Sequence, residues 1–135
     1  LHATADGRMA YTPISEGISP VQGTDVNGPT AVIKSAAKMN HIKTGGTLLN
    51  QKFTPDVLAD DAGIEKVMYL VRSYFKMMGH HIQFNVVDAE TLRLAKENPQ
   101  DYRDLIVRVA GYSDYFVDLT EALQDEIILR TGQTI

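Results

Sequence analysis

The order of apolar and polar residues predicts helices that alternate with strands along this chain. The clearest helix is predicted over 64–78, where apolar residues recur at spacings of three and four and form one stripe. Residues 81–87 alternate between apolar and polar side chains, which is typical of a strand with one apolar face. The members of the helical stripe are Ile64, Val67, Met68, Val71, Tyr74, Phe75 and Met78.

Capping and breaking residues predict the limits of the other elements. Pro29 suits the first position of a helix that continues to Met39. Asp88 can cap a helix over 89–97, and the proline that follows Asn98 should stop it. Runs of β-forming residues at 47–53 and 105–109 predict two more strands.

This alternation predicts the α/β fold class. Four segments follow: an irregular lead-in at 1–28, helices and strands at 29–104, a strand and loop at 105–117, and a last helix at 118–131. Asp118 and Glu121 have the spacing of a capping box for that helix. A length of 135 residues suits one domain.

Composition removes several classes of function. The net charge of −4 comes from interspersed acids and bases, so no basic stripe predicts nucleic acid as a partner. No apolar run approaches the roughly 18 residues of a membrane helix, and the first residues do not form a secretory signal. We therefore expect no membrane partner and a cytoplasmic location. The lack of cysteine excludes disulfides and thiolate metal sites.

The other polar clusters predict no metal site. His80 and His81 are adjacent, so on a strand they point to opposite faces and make a poor chelate. Asp60 and Asp61 are interpreted as the start of a helix, where negative charge is favourable, rather than as a cation site. Tyr74-Phe75 and Met77-Met78 are interpreted as core residues.

The most informative stretch is 106–116, Ile-Val-Arg-Val-Ala-Gly-Tyr-Ser-Asp-Tyr-Phe. The predicted strand delivers a pair of small residues, Ala110 and Gly111, which are followed directly by Tyr112. The order aliphatic, any residue, Arg, aliphatic, small, Gly, Tyr resembles the radical loop of glycyl radical enzymes. Taken alone, Gly111 also fits a glycine that simply breaks a strand.

Further blocks extend this resemblance over nearly the whole chain. Residues 12–20, 46–53, 81–87 and 124–128 are similar to blocks of the family and occur in the family's order. Asp114 departs from the pattern, because many members carry a small residue there. The resemblance implies the C-terminal part of a ten-stranded α/β barrel, with the radical loop inserted opposite a cysteine loop.

The resemblance also implies roles for individual residues. Gly111 would store the radical, because a residue without Cβ leaves a planar α-carbon uncrowded. Val109 and Ala110 would support the loop, Arg108 would anchor it through carboxylates or carbonyls, and Tyr112 would shield it. In the lead-in, Ser15 and Glu16 would line the active site. No bound cofactor is expected; an activating enzyme with S-adenosylmethionine and a 4Fe–4S cluster would remove one hydrogen from Gly111.

The missing cysteine then becomes an argument about partners. In the family the radical passes from glycine to a cysteine, so this chain would be the inactive C-terminal piece of a longer enzyme that carries the cysteine. That enzyme would be a homodimer that acts on a small molecule, in the cytoplasm or in a bacterial microcompartment.

The segments 111–116 and 15–20 are most similar to those of choline trimethylamine-lyases, which cleave choline to trimethylamine and acetaldehyde. Two alternatives stay open. The first is a dehydratase for glycerol or propane-1,2-diol. The second is a stand-alone spare radical domain without catalytic activity.

Overall fold

Short parallel strands and an antiparallel hairpin form the β-structure of the chain. In the computed structural model, which describes residues 2–130 and 132–134, β1 (Asn50–Phe53) lies between its parallel neighbours β2 (Gln83–Val86) and β5 (Gly132–Gln133). Strands β3 (Ile106–Arg108) and β4 (Ser113–Tyr115) form the hairpin. The predicted α/β class is confirmed by these strands and by four described helices: α1 (Pro29–Ala36), α2 (Asp61–Lys76), α3 (Ala89–Glu97) and α4 (Glu121–Leu129).

Helix starts follow the predicted capping residues. Pro29 occupies the first turn of α1. The carboxylate of Asp60 accepts the Gly63 N–H at 2.7 Å at the start of α2, and Asp88 accepts the Thr91 N–H at 2.7 Å at the start of α3. Each bond satisfies one of the free amides at a helix N-terminus. The interpretation of Asp60 as part of a helix start is therefore confirmed.

The predicted apolar stripe of α2 is not the face that packs on the sheet. The buried residues of α2 are Gly63, Leu70 and Tyr74, whereas Ile64 is 52% exposed and Phe75 is 47% exposed. The pattern misplaced the buried face because glycine carries no apolar side chain. A Cβ on Gly63 would lie 1.9 Å from the Val57 carbonyl oxygen, so glycine is required for close packing there. Of the residues predicted as core, Tyr74 is buried, but Phe75 and Met78 are not.

The start of the last helix also differs from its prediction. Asp118 belongs to a short 3-10 turn, Phe116–Asp118, which redirects the chain after β4. Thr120 precedes α4 and makes no side-chain capping bond, so the predicted capping box is wrong. Helix α4 ends at Leu129; the predicted end at 131 lies outside the described residues.

Two apolar clusters hold the elements in place. One contains α1 and α2 residues packed on β1, including Ile33, Phe53 and Tyr74. The second joins the hairpin to α3 and α4 through Val107, Val109, Leu92, Phe116 and Ile127. The hairpin is thereby seated by its apolar side chains. Among the described residues, no helix is long and apolar enough to span a membrane.

Candidate functional site

Gly111 lies at the tip of the β3–β4 hairpin. Arg108 is opposite Ser113 in the register, and the Val109 N–H donates to the Tyr112 carbonyl at 2.9 Å. The chain therefore reverses over Ala110 and Gly111 alone. Gly111 has a φ of +77°, a conformation that side chains other than glycine's rarely adopt. The turn by itself thus accounts for a glycine at this position.

The α-carbon of Gly111 is open to an approaching partner. Gly111 is exposed, and a Cβ built on it would meet only Leu48 Cδ1, at 3.7 Å. Tyr112, which was predicted to shield the loop, has 48% of its own surface exposed. The outer side of the turn is therefore accessible within the described chain.

Arg108 turns its main-chain groups away from β4 and towards β2. In an antiparallel pair, alternate residues direct their N–H and C=O groups outward. The Asn85 side chain binds both groups: its Oδ1 accepts the Arg108 N–H at 2.6 Å, and its Nδ2 donates to the Arg108 carbonyl at 2.7 Å. One amide side chain thus occupies the place of a neighbouring strand.

The Arg108 side chain binds neutral groups. Its Nε donates to Gln83 Oε1 at 2.7 Å, and its Nη1 lies 3.3 Å from Ser113 Oγ. The expected anchor through a carbonyl or carboxylate is here an amide carbonyl on β2. Arg108 consequently ties both strands of the hairpin to the sheet.

Arg130, which sequence reasoning missed, is the buried cation behind the hairpin. Its Nη1 donates to the carbonyls of Arg108 at 3.1 Å and of Val109 at 2.9 Å. Its guanidinium is paired with Glu126 at 2.8 Å and with Glu16 at 3.7 Å. Glu126 and Arg130 stand four residues apart, and that spacing was the one sequence signal for this group.

Of the two lead-in candidates, the structure brings Glu16 to this site. Burial raises the pKa of the Glu16 carboxyl, and the nearby Arg130 guanidinium opposes that rise. Ser15 is partly buried, and its contact with a substrate stays a prediction. Glu16 therefore supports the hairpin from behind, a role that the sequence did not indicate.

A buried polar layer continues from this cluster across the sheet. Asn50 Nδ2 donates to the Val109 carbonyl at 3.3 Å, and Gln83 donates to Asn50 Oδ1. Lys52 Nζ donates to the Ile128 carbonyl at 3.1 Å. Burial, reinforced by the positive charge of Arg130, lowers the pKa of Lys52 to about 8.

This layer leaves little room for a ligand. The cavity lined by Glu16, Lys52, Asn85 and Arg130 has a volume of about 30 Å³. Small-molecule sites in proteins usually have volumes of about 300–1,000 Å³. The side chains behind the hairpin therefore position the turn and do not form a substrate pocket.

The histidines lie elsewhere in the structure. His41 is buried and its Nε2 lies 3.0 Å from the Ala36 carbonyl, while the rings of His41 and His80 are 5.8 Å apart. No group of three or more potential metal-binding side chains occurs in the described part of the chain.

Comparison with known proteins gives a consistent set of relatives. Residues 14–117 match the family model described as "Glycine radical". Trans-4-hydroxy-L-proline dehydratase of Clostridioides difficile is 64% identical over 132 residues, which cover 98% of this chain and 17% of the relative. Isethionate sulfite-lyase of Bilophila wadsworthia is 47% identical over 133 residues, which cover 96% of this chain and 16% of the relative.

Solved structures give the same result. The glycerol-bound B12-independent glycerol dehydratase from Clostridium butyricum has a TM-score of 0.94 and 48% identity, over 98% of this chain and 17% of that chain. Hydroxyproline dehydratase from Clostridioides difficile has a TM-score of 0.93 and 63% identity, over the same shares of each chain. The chain thus spans about a sixth of the length of these relatives.

Proposed function

Because this chain belongs to the glycyl radical domain family, we propose that it is the radical-bearing part of a longer dehydratase or lyase and that Gly111 carries the radical. The radical of this family is a modification of a glycine, and the α/β fold matches the C-terminal portion of glycyl radical enzymes. One observation carries the choice of residue. Gly111 combines an open α-carbon with a backbone whose preceding carbonyls are held by buried side chains.

The chemistry follows from the structure of a glycine residue. Removal of one α-hydrogen leaves an unpaired electron that the adjacent nitrogen and carbonyl both delocalise, provided that the α-carbon becomes planar. The absence of Cβ allows that change without crowding. Arg108, Val109 and Ala110 lead into the turn and hold it in place; Tyr112 completes it.

The remaining steps need groups outside this chain. The Gly111 radical would take a hydrogen atom from a cysteine thiol of the longer enzyme, since this chain has no cysteine. The resulting thiyl would take a hydrogen atom from the substrate carbon next to a hydroxyl group. Loss of the neighbouring group and return of the hydrogen atom would complete a 1,2-elimination.

Dehydration of a small hydroxylated molecule is the reaction that we favour. The relative at 64% identity is a hydroxyproline dehydratase, and one at 52% identity is the probable dehydratase YbiW of Escherichia coli. Structures of dehydratases for glycerol and 1,2-propanediol share 48% and 50% identity with this chain. Cleavage of choline, which rests on segments 15–20 and 111–116, is the second candidate.

The partners follow from the same chemistry. An activating enzyme of the radical S-adenosylmethionine class would remove the hydrogen from Gly111. The longer chain would supply the cysteine and the substrate pocket and would form a homodimer. We propose the cytoplasm as its location, with a bacterial microcompartment as a narrower alternative.

Electron paramagnetic resonance of the anaerobically activated full-length enzyme tests the assignment. We expect a doublet from the remaining α-hydrogen, which should collapse when glycine deuterated at the α-carbon is incorporated. A doublet that persists in the Gly111→Ala variant would contradict the assignment.

A substrate panel of trans-4-hydroxy-L-proline, glycerol, propane-1,2-diol and choline tests the reaction class. We expect a dehydrated product from one of the first three. Trimethylamine released from choline, without dehydration of the others, would overturn the preference.

A further inference from the structure

We propose that Arg130 is a positioning residue that latches the Gly111 hairpin in its docked position, and that the latch opens when Gly111 is presented to the activating enzyme. The inference rests on the proposed function, because a glycine that serves two partners in turn must change its surroundings. It adds a means by which the hairpin can be held and released without loss of the fold.

The first observation is the way in which the hairpin is attached. Among the described residues, no main-chain hydrogen bond joins β3 or β4 to the sheet formed by β1, β2 and β5. The bonds that bridge the gap come from side chains of Asn50, Gln83, Asn85 and Arg130. The hairpin can therefore leave as a unit while both ladders stay intact.

The second observation is that these bonds converge on two carbonyl groups next to the turn. The Arg108 carbonyl accepts from Asn85 and Arg130, and the Val109 carbonyl accepts from Asn50 and Arg130. Arg130 is the donor common to both carbonyls. Its guanidinium is therefore the central group of the attachment.

The third observation is the charge balance around Arg130. A buried cation is tolerated when it is paired, and its side chain here is 8% exposed between Glu126 and Glu16. Glu126 lies on α4 and Glu16 in the lead-in, so the latch joins two segments to the hairpin. After release of the hairpin both ion pairs can persist, and the cation is not left unpaired.

Loss of one neutral hydrogen bond shifts an equilibrium of this kind by about three- to tenfold. A weakened latch should therefore raise the population of released hairpin by that factor. The activating enzyme should then install the radical faster, whereas turnover per radical should stay equal or fall. A purely structural defect would instead slow installation.

The test uses the full-length enzyme with two substitutions and a matched control. Arg130→Lys keeps the charge between Glu16 and Glu126 but cannot reach both carbonyls. Asn85→Ala removes two bonds to Arg108 without disturbing an ion pair. Arg93→Lys is the control, because Arg93 is exposed on α3 and pairs only with Glu90, at 3.8 Å, among the salt bridges described.

Two measurements decide the outcome. In the enzyme before activation, amide hydrogen exchange of the peptide over 105–117 should speed up by about three- to tenfold in both variants, while exchange of α2 stays unchanged. The rate at which the radical doublet forms should rise by a similar factor. Hairpin exchange equal to wild type, or slower radical formation, would overturn the latch. If wild-type enzyme gives no doublet, the proposed role of Gly111 fails, yet the exchange experiment still tests the latch.

Discussion

At the scale of single residues, Gly111 answers two separate demands. The turn requires a positive φ, and the proposed chemistry requires an α-carbon without a side chain. Gly23 offers a matched case for the first demand only, because its φ is +79° and a Cβ there would meet no atom within 4 Å. Comparison of the two positions separates backbone strain from chemistry.

We predict that Gly111→Ala abolishes the radical while the fold persists. The positive φ should cost about 1 kcal/mol, since Cβ would meet only Leu48 Cδ1 at 3.7 Å, an ordinary contact. Gly23→Ala in the full-length enzyme should lower the midpoint of thermal unfolding by a similar amount and keep the doublet. Equal radical yields in the two variants would remove Gly111 from its proposed role.

Residues differ in how far their surroundings can be predicted from sequence. Gly111 could be singled out because its motif is local and contiguous. Arg130 could not, because its hydrogen-bond partners on the hairpin lie 21 and 22 residues away and Glu16 lies near the other end of the chain. Contacts of that kind are created by the fold and leave no periodic signal.

At the scale of elements, the polar face of β2 is the unusual feature. Alternation in this strand would ordinarily bury Phe84 and Val86, yet Gln83 and Asn85 are the buried residues and Val86 is 45% exposed. The reason is that the hairpin brings main-chain groups to this face, and Gln83 and Asn85 bind them. Helices were predictable from caps, whereas β4, whose three residues are all exposed, carried no apolar signal.

We predict that oxygen cuts the activated chain at Gly111. A backbone carbon radical adds oxygen and fragments at that residue, and the exposed turn offers no cover within this chain. Mass spectrometry should find a released C-terminal piece that begins near Tyr112 and contains β4 and α4. Enzyme without the radical is the control and should remain intact in air. An intact chain after exposure of radical-loaded enzyme would count against the hairpin as the radical site.

At the scale of the whole molecule, this chain leaves apolar surface uncovered. Exposed apolar side chains lie along α2, and β4 presents an open strand edge. Such surfaces favour association with other chains. We therefore expect the segment to pack against the rest of a longer enzyme, of whose relatives it spans 17%.

We predict that the 135-residue segment alone has no dehydratase or lyase activity, even with the activating enzyme present. Without a cysteine, no thiyl radical can form to act on a substrate. Product analysis by mass spectrometry should show none above background, with the full-length enzyme as the positive control. Turnover by the segment would refute the need for a longer chain. Cooperative unfolding of the isolated segment would favour the alternative of a spare radical domain.

The fixed conformation of Gly111 has a stereochemical consequence. Its two α-hydrogens are chemically identical in a free glycine, but the docked turn places them in different surroundings. The hydrogen in the side-chain position points towards Leu48, whose Cδ1 would lie 3.7 Å from a Cβ there, and the other points away. Since φ is held at +77°, hydrogen transfer in the docked state should occur at one face. An achiral residue thereby acquires handedness from the turn that holds it.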